Sequence, residues 1–306
     1  MLRTLARTVV AGIAAAILAS GAFAQDAVRV GSKIDTEGAL LGNMIIQLLE
    51  ANGIKTANKL QLGPTKIVRS AIVAGEIDLY PEYTGNGAFF FSVDTDPAWK
   101  NSTSGYQKVR MLDAEQNRLV WLQPAPANNT WAIAVRTDVA RANKLVTMED
   151  FARWVSGGGT VKIAASAEFV ESPAALPSFE KTYGFKLKPD QILTLAGGNT
   201  AATERAAAER TSGVNAAMAY GTDGALAALG LVVMRDSKGA QIVYEPAPLV
   251  RASVLEKHPG IKRVLEPVFA SLDLTTLQTL NAKIAVEGQD AKQVAIGYLR
   301  QKGFLK

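Results

Sequence analysis

The sequence predicts an α/β protein of two lobes, each a mostly parallel sheet flanked by helices, with a ligand cleft at the hinge between them. Three observations carry this. Short apolar strands alternate with amphipathic helices from Val28 to Tyr80. Pro124-Ala125-Pro126-Ala127 then interrupts all periodicity, and a second run of strand and helix units follows it. No internal repeat of solenoid length is visible, so a stacked-repeat architecture is not expected.

The elements follow in order. Val28-Arg29-Val30-Gly31 has the pattern of a short buried strand. Asp35 or Thr36 can cap a helix whose apolar residues, Leu40, Leu41, Met44, Ile45, Leu48 and Leu49, fall on one continuous face. Gly53 ends it. Lys59 to Leu62 is a second strand, Gly63-Pro64-Thr65 opens a second helix that closes at Gly75, and Ile77 to Tyr80 is a third strand. Asp94 to Gly105 is polar and loop-like, before a helix from about Tyr106 to Arg118. Beyond the proline break a strand runs from Thr130 to Val135, and Thr147 caps a helix containing Phe151 and Trp154. Further strands are expected at Val161 to Ala165, Gln191 to Leu195, Asn215 to Ala219 and Leu231 to Met234, with helices from about Ser253 onward. The chain is therefore expected to cross between lobes near Ala125–Trp131 and return near Leu231–Tyr244. Residues 25–127 with 236–306 form one lobe and residues 128–235 the other. A double crossing of this kind makes a hinge, and open α/β sheets bind ligands at the carboxyl ends of their strands.

The N-terminus has the pattern of an export signal over residues 1–24. Arg3 and Arg7 precede an apolar run from Val9 to Leu18, and Ala22-Phe23-Ala24 fits the small-x-small cleavage rule. The run is shorter than the roughly 20 apolar residues of a membrane span. There is no cysteine, hence neither a disulfide framework nor a lipid attachment point at the cleavage site. An unlipidated exported protein is confined only by an outer membrane, so a periplasmic location is expected. The net charge of +5 is spread over both signs along the chain, which predicts no nucleic-acid partner. His258 is the only histidine, so a histidine-based zinc cluster is impossible and any Ser-His-Asp triad would have to use it. In Glu256-Lys257-His258-Pro259-Gly260 it reads as a solvated turn histidine. No cofactor or metal is expected, and no enzyme motif is present.

Aromatic placement carries the chemistry. Tyr83 follows a strand end, Trp131 lies just after the first crossing, Tyr220 follows the strand Ala216-Ala217-Met218-Ala219, and Tyr244 lies in the return segment. A two-lobed fold turns such positions toward the cleft. Aromatic faces carry negative potential and bind a methylated ammonium, which offers no N–H donor of its own. Each ring could equally be a half-buried packing residue with its polar tip in water.

Gly31-Ser32-Lys33, Leu41-Gly42-Asn43-Met44, Ile77-Asp78-Leu79-Tyr80-Pro81-Glu82-Tyr83-Thr84-Gly85, Asn128-Asn129-Thr130 and Tyr220-Gly221-Thr222-Asp223-Gly224 resemble the substrate-binding proteins of osmoprotectant ABC importers, which take glycine betaine, carnitine or choline. The resemblance covers essentially the whole chain after the export signal. It implies a type II periplasmic binding protein fold and an aromatic box, here Tyr83, Trp131, Tyr220 and Tyr244. Members usually have tyrosine at the Trp131 position, and tryptophan serves a cation at least as well. Lys33 matches a lysine that contacts the ligand's carboxylate in some members, and Asn86 stands where many have threonine. Ser172 replaces an arginine that clamps the betaine carboxylate, and Pro173-Ala174-Ala175 replaces the usual Pro-Asp-Gly. Serine cannot supply that bidentate charged contact.

The resemblance implies a monomeric periplasmic component of an ABC importer, binding a quaternary-ammonium or zwitterionic solute and handing it to a membrane permease. The alternatives are a binding protein for another small polar solute such as an amino acid, a sensor for a membrane receptor, or a periplasmic enzyme on the same fold.

Overall fold

The computed structural model describes residues 27–195 and 200–306; the expected export signal at residues 1–24 lies outside them. Among the described residues ten strands are formed. The first five are β1 (Val28–Lys33), β2 (Thr56–Gly63), β3 (Leu79–Tyr83), β4 (Leu119–Trp121) and β5 (Trp131–Arg136). The others are β6 (Ile163–Ser166), β7 (Ile192–Leu195), β8 (Ala216–Tyr220), β9 (Leu231–Val233) and β10 (Pro246–Arg251). They build two five-stranded sheets of matching design, ordered β2-β1-β3-β10-β4 and β7-β6-β8-β5-β9. In each sheet one strand runs against the other four: β10 in the first and β5 in the second. These are the strands that follow each passage between sheets.

The helix Thr36–Ala51 shows how sequence positions the rest. Asp35 caps it, its carboxylate accepting from the Gly38 N–H at 2.7 Å. Leu40, Leu41, Met44, Ile45, Leu48 and Leu49 are each no more than 2% exposed, each contributing roughly 1.5–3 kcal/mol of apolar burial. They share a core with helices near the C-terminus, including Leu277 and Leu280 of Leu274–Ala285. The second sheet has its own core around Ile133, Phe151, Phe169, Phe179 and Met218. Among the described residues no helix is long and apolar enough to cross a membrane.

Two strands escape the periodicity. β4 is only three residues long and directly follows the helix Ser102–Asn117, which starts four residues before the expected Tyr106. The buried Asp113 ties the two together: it accepts two bonds from Arg69, at 2.6 and 3.0 Å, and one from Trp121 Nε1 at 2.7 Å. β10 begins Pro-Ala-Pro, a pattern that argues against a central strand. It is nevertheless buried between β3 and β4. Its prolines contribute through their carbonyls, Pro248 accepting from Leu122 N–H at 2.9 Å and Pro246 from Ala125 N–H at 2.8 Å. β3 also begins later than expected, so Tyr83 is the last residue of the strand rather than a follower.

The two passages between sheets run side by side. Asn129 N–H donates to the Tyr244 carbonyl at 2.9 Å, Tyr244 N–H to Asn128 Oδ1 at 2.8 Å, and the Thr130 hydroxyl to the Ile242 carbonyl at 2.7 Å. His258 departs from expectation: it is 7% exposed at the end of the helix Ala252–Lys257, packed in rather than solvated.

Candidate functional site

Residues carried by both sheets line one cavity of about 740 Å³. Lys33, Tyr83, Asn86, Trp131, Tyr220 and Tyr244 all line it; Ser172 does not. Ser172 ends the short helix Ala167–Glu171, its N–H bonded to the Glu168 carbonyl at 2.9 Å.

Strand register brings the rings together. Trp131, first in β5, is paired with Tyr220, last in β8, and adjacent residues on neighbouring strands project to the same face. Their rings stack at 4.5 Å with 28° between planes, and Phe169 supports Trp131 from 5.4 Å. Tyr83 comes from the end of β3, and Tyr244 from the return passage.

Lys33 and Asn86 are committed to a neighbour. Lys33 Nζ lies 2.6 Å from Glu82 Oε1 and 4.4 Å above the centre of the Tyr83 ring. Glu82 is fully buried and gathers further donors: the Tyr80 hydroxyl at 2.8 Å, the Tyr83 N–H at 2.6 Å and Asn86 Nδ2 at 2.8 Å. A buried carboxylate is tolerable when it is paired and hydrogen-bonded in this way.

Several cavity residues were not singled out from the sequence. Glu37, in the first turn of Thr36–Ala51, accepts from the Tyr83 hydroxyl at 2.7 Å and from Asn281 Nδ2 at 2.7 Å. Burial pushes its carboxyl above the usual range, and the bonds from Tyr83, Thr222 and Asn281 oppose that rise. On the opposite side Glu204, from the helix Thr200–Ala208, faces Asp223 in the loop after β8. Burial, reinforced by Asp223, pushes Glu204 up to about 10, and burial also raises Asp223. Facing carboxyls in a buried site disfavour both ionising at once. Burial raises the phenols of Tyr83, Tyr220 and Tyr244 too, so all three remain neutral donors. The signal for these acids was weak: an acid in a first helical turn is ordinary, and Asn281 is 244 positions from Glu37.

Neutral aromatic faces, acidic groups and, among the described lining residues, a single base already held by a carboxylate suit a cation. Among the described residues no cluster of His, Cys, Asp or Glu is arranged to hold a metal.

Comparison with known proteins agrees. The family described as the substrate binding domain of ABC-type glycine betaine transport system matches residues 26–301. The glycine betaine-binding protein YehZ of Escherichia coli K12 is 64% identical over 279 residues, covering 91% of this chain and 92% of that protein. The glycine-betaine-binding protein of Pseudomonas aeruginosa is 29% identical over 95% of this chain and 93% of its own length. The solved structure of apo YehZ from Escherichia coli superposes with a TM-score of 0.84, covering 91% of this chain and 99% of that one. A glycine betaine/carnitine/choline ABC transporter structure shares the fold at TM-score 0.80 with 18% identity, over 91% of this chain and all of that one. The fold is that of type II periplasmic binding proteins, and the chain belongs to the family of substrate-binding domains of ABC-type glycine betaine transport systems.

Proposed function

We propose that this protein is the periplasmic solute-binding component of an ABC importer, and that it holds a quaternary-ammonium solute of the glycine betaine or choline type between its two lobes. The observation that carries the reading is the cavity itself: about 740 Å³, faced by four aromatic residues from both sheets and the return passage, with the one basic residue among its described lining held by Glu82. Tyr83, Trp131, Tyr220 and Tyr244 form the cage for the cation, and Lys33 and Asn86 border it through Glu82. Ser172, at the end of the helix Ala167–Glu171, is left out of this proposed contact set. Residues 25–127 with 236–306 and residues 128–235 act as the two closing bodies, hinged at the paired passages. The export signal is removed after Ala24, and the protein works as a monomer that presents its solute to a membrane permease.

Titration calorimetry of the chain from Gln25 onward against glycine betaine, choline, carnitine and proline betaine tests this. Binding of at least one of them, with a stoichiometry of one, is expected. Heat from none of them, together with binding of an ordinary amino acid, overturns the reading.

A further inference from the structure

One buried carboxylate joins the two sides of the cavity. Glu37, 5% exposed in the first turn of the helix Thr36–Ala51, spends its two oxygens on different partners. Oε1 accepts from the hydroxyl of Tyr83, the last residue of β3, at 2.7 Å. Oε2 accepts from Asn281 Nδ2 at 2.7 Å. Asn281 Nδ2 also donates to the Thr222 carbonyl at 3.0 Å, and the Thr222 side chain bonds to Glu37 itself. Thr222 stands in the loop after β8, just beyond the cage residue Tyr220. Tyr83 belongs to the first sheet and this loop to the second, so one group holds a ring of one sheet against a loop of the other.

The chemistry makes each of these bonds matter. A tyrosine ring offers its face to a cation only in a fixed orientation, and the Tyr83 tip is tied at Glu37. A buried carboxylate is tolerable only while donors surround it, and burial does push the Glu37 carboxyl up, with Tyr83, Thr222 and Asn281 opposing the rise. Withdrawing the loop after β8 takes the Thr222 donor away and frees Asn281 from the Thr222 carbonyl. Tyr83 is then left against a carboxylate with fewer supports. The loop is docked independently as well, Gln278 Nε2 donating to the Gly221 carbonyl at 2.8 Å.

We propose that Glu37 is a positioning residue of the cage: it couples the seating of the Tyr83 ring to the docking of the loop after β8, so that the cage is completed only as the two sheets come together. This rests on the function proposed above and adds a residue that acts on the solute through Tyr83 and Thr222. Because these bonds must part before a solute leaves, they act on dissociation rather than on encounter.

Stopped-flow binding to the whole chain from Gln25 tests this, with glycine betaine as the probe, or choline or carnitine should the wild type bind one of those more tightly. Tyr83→Phe keeps the ring and removes the hydroxyl; Thr222→Val keeps the shape and the carbonyl. Each is expected to weaken binding roughly 2- to 10-fold, the range of one net hydrogen bond, through faster dissociation at an unchanged association rate. The double variant should weaken it by less than the product of the two, since both substitutions break one chain of contacts. Glu37→Met should weaken binding at least as much as either, and Glu37→Gln, whose amide still meets Asn281 and Tyr83, should restore part of the loss. Should Glu37→Met not fold, the Tyr83→Phe/Thr222→Val comparison decides alone. Unchanged affinity in both single variants, effects that multiply, or losses confined to association overturn the inference and leave solute binding by the cage intact. Failure of the wild type to bind any of the three solutes overturns the underlying reading and this inference with it.

Discussion

The raised Glu204 carboxyl ties the cavity to protein stability. Glu204 has its ordinary value near 4.5 when unfolded and is pushed up to about 10 when folded, by burial and by the facing Asp223. The folded state therefore binds a proton that the unfolded state releases above pH 4.5. A group raised in this way supports folding fully below its unfolded value and loses that support as pH rises toward its folded value. Stability is thus expected to fall from about pH 4.5 toward pH 10 more steeply in the wild type than in Glu204→Gln, which keeps the donor but cannot titrate. Urea unfolding across that range measures the difference, and parallel curves would contradict it. At this scale the aromatic residues were legible in the sequence because strand ends announce themselves through small residues and breaks. The acids were not, because a burial-shifted carboxyl and a surface one look alike until the fold is known.

Caps and close approaches decide how well the elements hold. The helix Met148–Ser156 starts with a reciprocal capping box: Asp150 N–H donates to the Thr147 hydroxyl oxygen at 3.2 Å, and Thr147 N–H donates to the Asp150 carboxylate at 2.9 Å. Thr147→Ala is expected to cost about 1 kcal/mol of stability and to leave solute binding unchanged, since Thr147 is outside the cavity; denaturant melts and calorimetry on one preparation check both. This helix, the Asp35 cap and the Gly75 stop were readable because caps are local chemistry. β10 was not, because its Pro-Ala-Pro start breaks strand pattern and only its neighbours, β3 and β4, make the carbonyls of those prolines useful. β4 was missed for its length alone.

The whole molecule is organised by two sheets of matching order that meet across the cavity, joined by passages that pair through Asn128–Thr130 and Ile242–Tyr244. What no local pattern could show is the helix Leu274–Ala285 reaching across. It packs in the core of the first sheet, while Gln278 Nε2 donates to the Gly221 carbonyl at 2.8 Å and Asn281 to the Thr222 carbonyl at 3.0 Å, in the loop after β8. Gly224 makes that approach feasible, for a Cβ there would lie 2.1 Å from the Ala282 nitrogen and 2.4 Å from the Asn281 carbonyl carbon. Gly224→Ala should push the loop from the helix, cost about 1–3 kcal/mol as overpacking does, and weaken solute binding along with stability. The proposed function stands or falls with a quaternary ammonium seated on aromatic faces drawn from both sheets. Calorimetric titration of choline and glycine betaine into wild type and a Trp131→Ala/Tyr220→Ala double variant tests it most directly. With about 0.5–2 kcal/mol per ring at stake, whichever solute binds is expected to do so at least about fivefold more weakly in the variant, whose melting curve stays cooperative. Unchanged affinity in that folded variant would contradict it.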